Sequence, residues 1–290
     1  MLDSLHHLLL IAEHGSFHEA ARRAHLSQPA LSASIQRLEE AMGARLLHRH
    51  ARGARLSAAG EALQPHARAA LAAVASGRQA VAEMQGLARG RVRIGGGATA
   101  CTYLLPPVLT AFHQDFPAID LRLRETFTPA VRAGVAQGEL DLGIAEAGGA
   151  PIPGLVEEAW TTDALVLVAS PSLAVRLARQ GDRLAPGTPT VTFSAGAALR
   201  ELLDATLPDL DVVIELGSIA AVKGHCRAGL GVALLSRVAV AVDLELGRLV
   251  ELADARLPAV RSLVLVHPGL DRLPPAARVL RERLLSSRPR

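Results

Sequence analysis

Between Ser27 and Gly43 the chain spells out one helix with both ends marked. Leu31, Ile35, Leu38 and Met42 recur at spacings of four, three and four, so they form one apolar stripe. Ser27 is a cap for the first turn, and Pro29 is tolerable there because the first turn offers its missing N–H no acceptor. Gly43 is the stop. Just upstream, Ser16 and Glu19 have the spacing of a capping box, in which each side chain satisfies an orphan N–H, and open a short helix over Phe17 to Ala24. Only His25 and Leu26 separate the two helices, so they meet at a tight turn. This is a helix-turn-helix pattern. Before it, Leu5, Leu8, Leu9 and Ala12 give one face of a first helix that Gly15 ends.

The face opposite the stripe carries Pro29, Ala33, Gln36 and Glu40, flanked by Ser32 and Arg37. Such small and polar side chains allow close approach to base edges: glutamine pairs with adenine in a bidentate manner, and alanine can contact a thymine methyl. A solvated helix face is the alternative reading of the same residues. Arg45, Arg49, Arg52 and Arg55 follow with no acid before Glu61. The stretch "RHARGARLS" reads as a two-stranded ribbon turning near Gly53, a basic wing able to grip phosphates or the minor groove. Charge agrees with that placement. Residues 1–90 hold ten arginines against seven acids, whereas the rest of the chain is balanced.

Ser57 starts a longer helix reaching about Ala88. Leu63, Ala67, Ala70, Val74, Gly77, Val81 and Met84 alternate spacings of four and three, a heptad seam of small residues with no partner visible in cis. It is expected to pair two copies of the chain. "GLARGRV" (86–92) is the linker. From Arg91 strands alternate with helices: 91–95, 120–125, 140–146, 164–170, 190–193, 211–216, 231–236, 248–252 and 261–267. That alternation implies an α/β unit with parallel sheets and crevices at the strand C-termini.

The first 65 residues closely resemble the N-terminal domain of LysR-type transcriptional regulators, through "GSFHEAA" (15–21), "LSQPALS" (26–32), "IQRLEEAMGARLL" (35–47) and the arginine-rich stretch from Arg49 to Glu61. The segments "YLLPPVLTAFHQDFP" (103–117), "GELDLGI" (138–144), "AGLGVALLS" (228–236) and "LGRLVEL" (246–252) are similar to those of the family's effector-binding domain, so the likeness spans nearly the whole chain. It implies a winged helix-turn-helix over 1–58, a linker and dimerisation helix over 59–90, and a bilobed, periplasmic-binding-protein-like α/β domain over 91–290. Its lobes are expected at about 92–161 with 265–290, and at 162–264. The resemblance further implies a homodimer, often a homotetramer, on double-stranded promoter DNA, with RNA polymerase as a further partner. Gln28, Pro29, Ser32 and Ala33 would begin the recognition helix, and Arg49 and Arg52 would belong to the wing. The family often has long basic or amide side chains where this chain has Ala33 and Ser34, and commonly a proline where it has Ser236.

A co-inducer would lie between the lobes, where loops after four strands converge. Thr99, Cys101 and Thr102 follow the first strand, Thr128 the second, Ser194 and Ser218 later ones, each near a predicted helix start. Free N–H groups at helix N-termini favour an anion, so the co-inducer is expected to be a carboxylate or an inorganic oxyanion. For any single Ser or Thr, ordinary helix capping is the alternative. Lys223, His225 and Arg124 are further counter-charge candidates. Cys101 at a helix start could carry a lowered pKa and a redox role.

No cofactor, metal or catalytic residue is expected. Cys101 and Cys226 are the only cysteines, without metal-ligand spacing. No apolar run approaches the roughly eighteen residues of a membrane span. The N-terminus has no basic start or cleavage pattern, so the expected compartment is the cytoplasm. Two rivals stand. "GGGATA" (Gly95–Ala100) fits a dinucleotide-binding turn, with Glu125 ending the next strand, and would suit a nicotinamide-dependent oxidoreductase. Against it, Pro106 and Pro107 fall inside the helix that should follow. The other rival is a solute receptor without a DNA role, which the basic helical N-terminal third argues against.

Overall fold

The computed structural model describes residues 1–50, 53–84, 90–177, 184–254, 256–257 and 260–287. The N-terminal unit is α1 (Leu2–His14), α2 (Phe17–Arg23), α3 (Gln28–Met42), and a ribbon of β1 (Leu47–His50) and β2 (Gly53–Leu56). Gly15 and Gly43 end α1 and α3 in the left-handed conformation, each at φ 65°. His25 takes φ 53° in the turn between α2 and α3, the non-glycine residue that makes so short a connection possible. Leu5, Leu8 and Ile11 of α1 close over Ala20, Ala21, Leu31, Ile35 and Leu38. Met42, expected as the last residue of the stripe, is 39% exposed because the core ends a turn earlier.

Two side chains, Glu39 and Ser57, fix the ribbon. Glu39 of α3 accepts hydrogen bonds from the Leu46 and Leu47 amides at 2.7 and 3.2 Å, which ties the start of β1 to α3. Ser57 caps α4 (Ala58–Met84) by accepting from Gly60 N at 3.1 Å while its hydroxyl donates to Arg45 O at 2.6 Å. Gly60 is required there: a Cβ would stand 2.1 Å from Leu46 O. The capping box at α2 is only half built. Ser16 Oγ accepts from Glu19 N, but the Glu19 carboxylate turns outward to Arg22 and Arg23 and sits at a pKa of about 2 beside their guanidinium groups.

The heptad seam divides in two. Ala67 is buried, and Leu63, Ala70 and Leu71 pack against the N-terminal core, so this half has a partner in cis that the sequence did not reveal. Further along, Ala72 lies against Gly138, where an added Cβ would be 2.1 Å away, and Arg68 Nη1 donates to Gln137 Oε1 at 2.8 Å. Only beyond this does the seam open: Val81 is 57% exposed. The side chain of Met84 and most of the expected linker lie outside the described residues.

The C-terminal unit runs β3 (Arg91–Gly96), a π-helical turn (Ala100–Leu104) into α5 (Leu105–Asp115), β4 (Asp120–Glu125), α6 (Thr128–Ala136), β5 (Leu142–Glu146), β6 (Val156–Ala169), α7 (Pro171–Leu177), β7 (Pro189–Phe193), α8 (Ala198–Thr206), β8 (Asp211–Leu216), α9 (Ile219–Arg227), β9 (Ala233–Ser236), α10 (Arg237–Glu245), β10 (Val250–Leu252), β11 (Val260–His267) and α11 (Pro275–Ser286). The sheet order is β10-β6-β11-β5-β3-β4, with β9 also on β6. Only part of it is parallel. β3 is parallel to β4 and β5, but β11 is antiparallel to β5 and β6, because both long strands cross between lobes in opposite directions.

β6 is the spine. Its first half, Val156–Ala164, pairs with β11, and its second half, Leu165–Ala169, pairs with β9 and β10. The expected strand began only at 164, since "VEEAWTTD" (156–163) holds three acids and two threonines and neither runs apolar nor alternates. The second crossover likewise falls at Val260, not 265, where β11 begins. Separate cores flank this junction. One gathers Ile94, Leu105, Phe112, Leu142, Trp160 and Leu280; the other gathers Leu167, Val191, Leu203, Val222 and Leu235. Trp160 Nε1 donates to Leu284 O at 2.9 Å and locks α11 onto the first. Pro106 and Pro107 sit in a continuous helical run after all; the wider π-helical turn precedes them and absorbs the mismatch in hydrogen bonding.

Candidate DNA face and effector cleft

The outer face of α3 is open. Gln28, Pro29, Ala33, Gln36 and Arg37 are exposed and Ser32 is half-buried. Gln36 Nε2 rests on Glu40 Oε1 at 3.2 Å, and Arg37 makes no ion pair among the described residues. Ser27 is spent as the cap, accepting from Ala30 N at 3.3 Å. Ser34, one of the two short residues where the family often has long ones, is not on that face. It points inward, buried, donating to Ser4 Oγ at 3.0 Å and meeting His7 Nδ1 at 2.8 Å. That buried polar link fixes α3 on α1. Burial holds the His7 pKa below its ordinary value, which suits a neutral ring in this network. In the wing, His48 pairs across from Arg55, both exposed. Arg52 and the side chain of Arg49 lie outside the described residues.

A cleft of about 280 Å³ opens between the two halves of the C-terminal unit. It is bordered by the four loops the sequence pointed to: 97–100, 125–128, 197–199 and the stretch at Gly217 and Ile219. Each stands at the start of a helix. The individual side chains are sorted differently. Thr99 and Thr128 line the cleft. Thr102 is exposed one turn along the helix and lies outside the lining. Ser194 falls short of α8, which begins at Ala198, leaving Phe193 and Ala197 as lining. Ser218 is a cap, accepting from Ala221 N at 3.2 Å, and its neighbours Gly217 and Ile219 face the cleft. Cys101 is turned into the core, with Sγ 3.3 Å from Gly96 O.

Burial and the nearby Glu125 carboxylate push the Cys101 thiol up to about 11, and Cys226 is driven by burial to about 12. The expected lowering by a helix terminus is overruled. Neither thiol should therefore react with iodoacetamide at pH 7.5 until the protein is unfolded in urea. Rapid modification of Cys101 in the native protein contradicts this placement.

Charge enters the cleft from Arg261 and Glu146, which the sequence did not single out, and from Glu125, which it named only for a dinucleotide-binding turn. Arg261 of β11, its side chain 11% exposed, donates from Nε and Nη2 to Asp163 Oδ2, each at 2.8 Å. It also donates to Thr99 Oγ1 at 3.2 Å. Asp163, 3% exposed, accepts a short bond from Ser236 as well. Glu125 and Glu146 complete the lining. Glu146 reaches Arg261 Nη1 only at 3.6 Å, and Glu125 has no ion pair among the described residues. The other candidate cations are engaged elsewhere. Lys223 Nζ clamps α9 to α10 through Asp243 Oδ2 and Ala239 O, both at 2.8 Å. Arg124 pairs with Glu139 at 3.1 Å, and His225 bonds Ala221 O. Among the described residues no three His, Cys, Asp or Glu gather as metal ligands, and no helix is long and apolar enough to cross a membrane.

Comparison with known proteins places both units. Residues 2–61 match the model "Bacterial regulatory helix-turn-helix protein, lysR family", and residues 85–288 match "LysR substrate binding domain". Similar proteins include a probable RuBisCO transcriptional regulator of Synechocystis sp., 30% identical over 97% of this chain and 85% of the relative. Another, from Emiliania huxleyi, is 30% identical over 92% of this chain and 88% of its own. Among solved structures, ArgP from Mycobacterium tuberculosis superposes with a TM-score of 0.78 at 21% identity, covering 98% and 95% of the two chains. The full-length LysG of Corynebacterium glutamicum with bound effector Arg gives 0.71 at 23% identity, covering 99% and 97%. The chain belongs to the LysR family of transcriptional regulators, with a helix-turn-helix at one end and an effector-binding domain at the other.

Proposed function

We propose that the protein reads promoter DNA through the open face of α3 and changes its grip on that DNA when a small molecule enters the cleft behind Thr99 and Thr128. The observation that carries this reading is the division of labour on α3. Its inner face is bonded and packed, with Leu31, Ser34, Ile35 and Leu38 buried, while Gln28, Pro29, Ala33, Gln36 and Arg37 stay open for a major groove. Ser32 stands at the margin of that face. Gln28 and Ala33 read base edges; Arg37 holds phosphate, as do Arg49 and Arg52 in the wing. The helix N-termini at the cleft supply an anion-binding subsite with Thr99 and Thr128 as hydroxyl donors. No cofactor takes part.

The open end of the α4 seam at Gly77 and Val81 pairs two copies of the chain, and two such dimers form the tetramer. RNA polymerase is the downstream partner, and the site of action is the cytoplasm.

Binding of double-stranded fragments by the full chain tests the assignment. Gln28→Ala is expected to change which operator is preferred, by about 1–3 kcal/mol at one base pair. Arg37→Ala should weaken binding to every fragment alike and lower the salt slope by about one. If Gln28→Ala leaves the ranking of fragments intact, the reading face has been misplaced.

A further inference from the structure

We propose that Thr99, Arg261, Asp163 and Ser236 form one buried, hydrogen-bonded strap that runs from the first lobe to the second and sets the angle between them.

The two lobes are joined where the long strand β6 changes partner. It pairs with β11 up to Ala164 and with β9 from Leu165 onward, so the chain leaves one lobe for the other within a single residue. A hinge is a few element-terminal residues that absorb a change of backbone angle, and a change of ladder partner is such a place. The strap lies at this switch. Asp163 of β6 stands directly across the ladder from Arg261 of β11, and Ser236 of β9 is the partner of Leu165, the first residue past the switch.

The bonds run on from side chain to side chain. Arg261 Nη2 donates to Thr99 Oγ1 at 3.2 Å, and its Nε donates to Asp163 Oδ2 at 2.8 Å. Asp163 turns its other oxygen, Oδ1, to the Ser236 hydroxyl, which donates to it. The Arg261 Nη1 group lies 3.6 Å from Glu146 Oε2, a second hold on the first lobe. The two ends belong to different cores. Thr99 adjoins Ala100, which packs with Ile94 and Phe112, and Ser236 adjoins Leu235, which packs with Val191 and Val222. Thr99, Asp163 and Ser236 are buried, so water competes little for these bonds, and each link polarises the next.

The end hydroxyls are not occupied locally. Ser236 is the N-cap of α10, where a serine ordinarily accepts from the first turn. Its side chain makes no cap bond and is spent on Asp163 instead. Thr99, just before the π-helical turn, caps nothing either and receives Arg261. Thr99 also borders the cleft. An occupant that draws on its hydroxyl therefore acts on one end of the strap. That consequence rests on the effector reading; the strap itself does not.

The test is a lobe-to-lobe distance in the full-length protein without ligand or DNA. Spin labels are placed by Gln114→Cys on α5 and Val242→Cys on α10, both exposed positions, while the buried Cys101 and Cys226 stay unlabelled. Dilution with unlabelled protein removes distances between copies, and circular dichroism verifies that each variant is folded. Pulsed electron resonance should give one narrow distance distribution for the parent. Thr99→Val and Ser236→Ala should each widen it, and the two together should widen it no further, because a strap cut at either end is already cut. Arg261→Met with Asp163→Asn removes the middle links without stranding a charge and should widen it equally. A distribution as narrow as the parent's in every variant overturns the strap. Widening from one end alone, or widening that adds up in the combined variant, shows separate contacts and overturns it as well. These results leave the effector reading of the cleft standing, since no occupant is present.

Discussion

Arg261→Met is expected to cost the C-terminal unit about 3–5 kcal/mol, because it strands a buried charge. Asp163 has its side chain 3% exposed and, among the described residues, keeps only the Ser236 hydroxyl once the guanidinium is gone. The loss belongs to that stranding more than to the pair itself. Removing both charges in Arg261→Met with Asp163→Asn should therefore recover most of the stability. Urea unfolding followed by far-ultraviolet circular dichroism measures all three proteins. A single variant within about 1 kcal/mol of the parent, the range of a surface ion pair, contradicts the buried role given to Arg261. The consequence for function is local. Arg261 spans β11 to Thr99 at 3.2 Å, so the same substitution frees the cleft wall at the point where the two long strands cross.

Trp160→Ala should be equally damaging, at about 3–5 kcal/mol, as a large buried aromatic lost from a packed core. Trp160 lies in the half of β6 that joins β11, beneath Ala276, Ala277, Leu280 and Leu284 of α11. Trp160→Phe keeps most of the volume and drops the bond to Leu284 O, so about 1–3 kcal/mol is expected. The gradation separates packing from hydrogen bonding. Equal losses in the two variants contradict it. Since this is the chain's one tryptophan, its fluorescence in the parent reports directly on the docking of α11.

How much of this was legible in the sequence follows from the range over which each signal acts. Helix ends were legible because they are local: Ser27 and Gly43 terminate α3 where their chemistry says they should. The open face of α3 was legible from one period of apolar spacing. Ser34 was not, because its partners Ser4 and His7 sit 30 and 27 residues away. The heptad stripe is visible in the spacing, but what covers its first half is a tertiary fact: the N-terminal core takes Leu63, Ala67 and Ala70.

The cleft shows the same limit. The loops were identified because strand ends and helix starts are visible in order along the chain. Arg261 was not, since it sits in a strand otherwise read as apolar and meets Asp163 across 98 residues. Cys101 failed for a different reason. A helix start favours thiolate, but desolvation opposes it more strongly, and the depth of burial is set by packing of Gly96 and Ile144 around it. β6 was cut short because its first half is rich in acids and threonines without a strand period, a composition that makes sense only once His267 and Arg281 are seen to answer Glu158.

The most direct test of a regulator that reads DNA through α3 is selection of fragmented source DNA by the full-length protein at two salt concentrations, run beside Gln28→Ala. The expected result is a small set of promoter fragments sharing an interrupted palindrome, retained at the higher salt, with a different set or none for the variant. Recovery of bulk DNA alone, lost as salt rises and identical for both proteins, contradicts it.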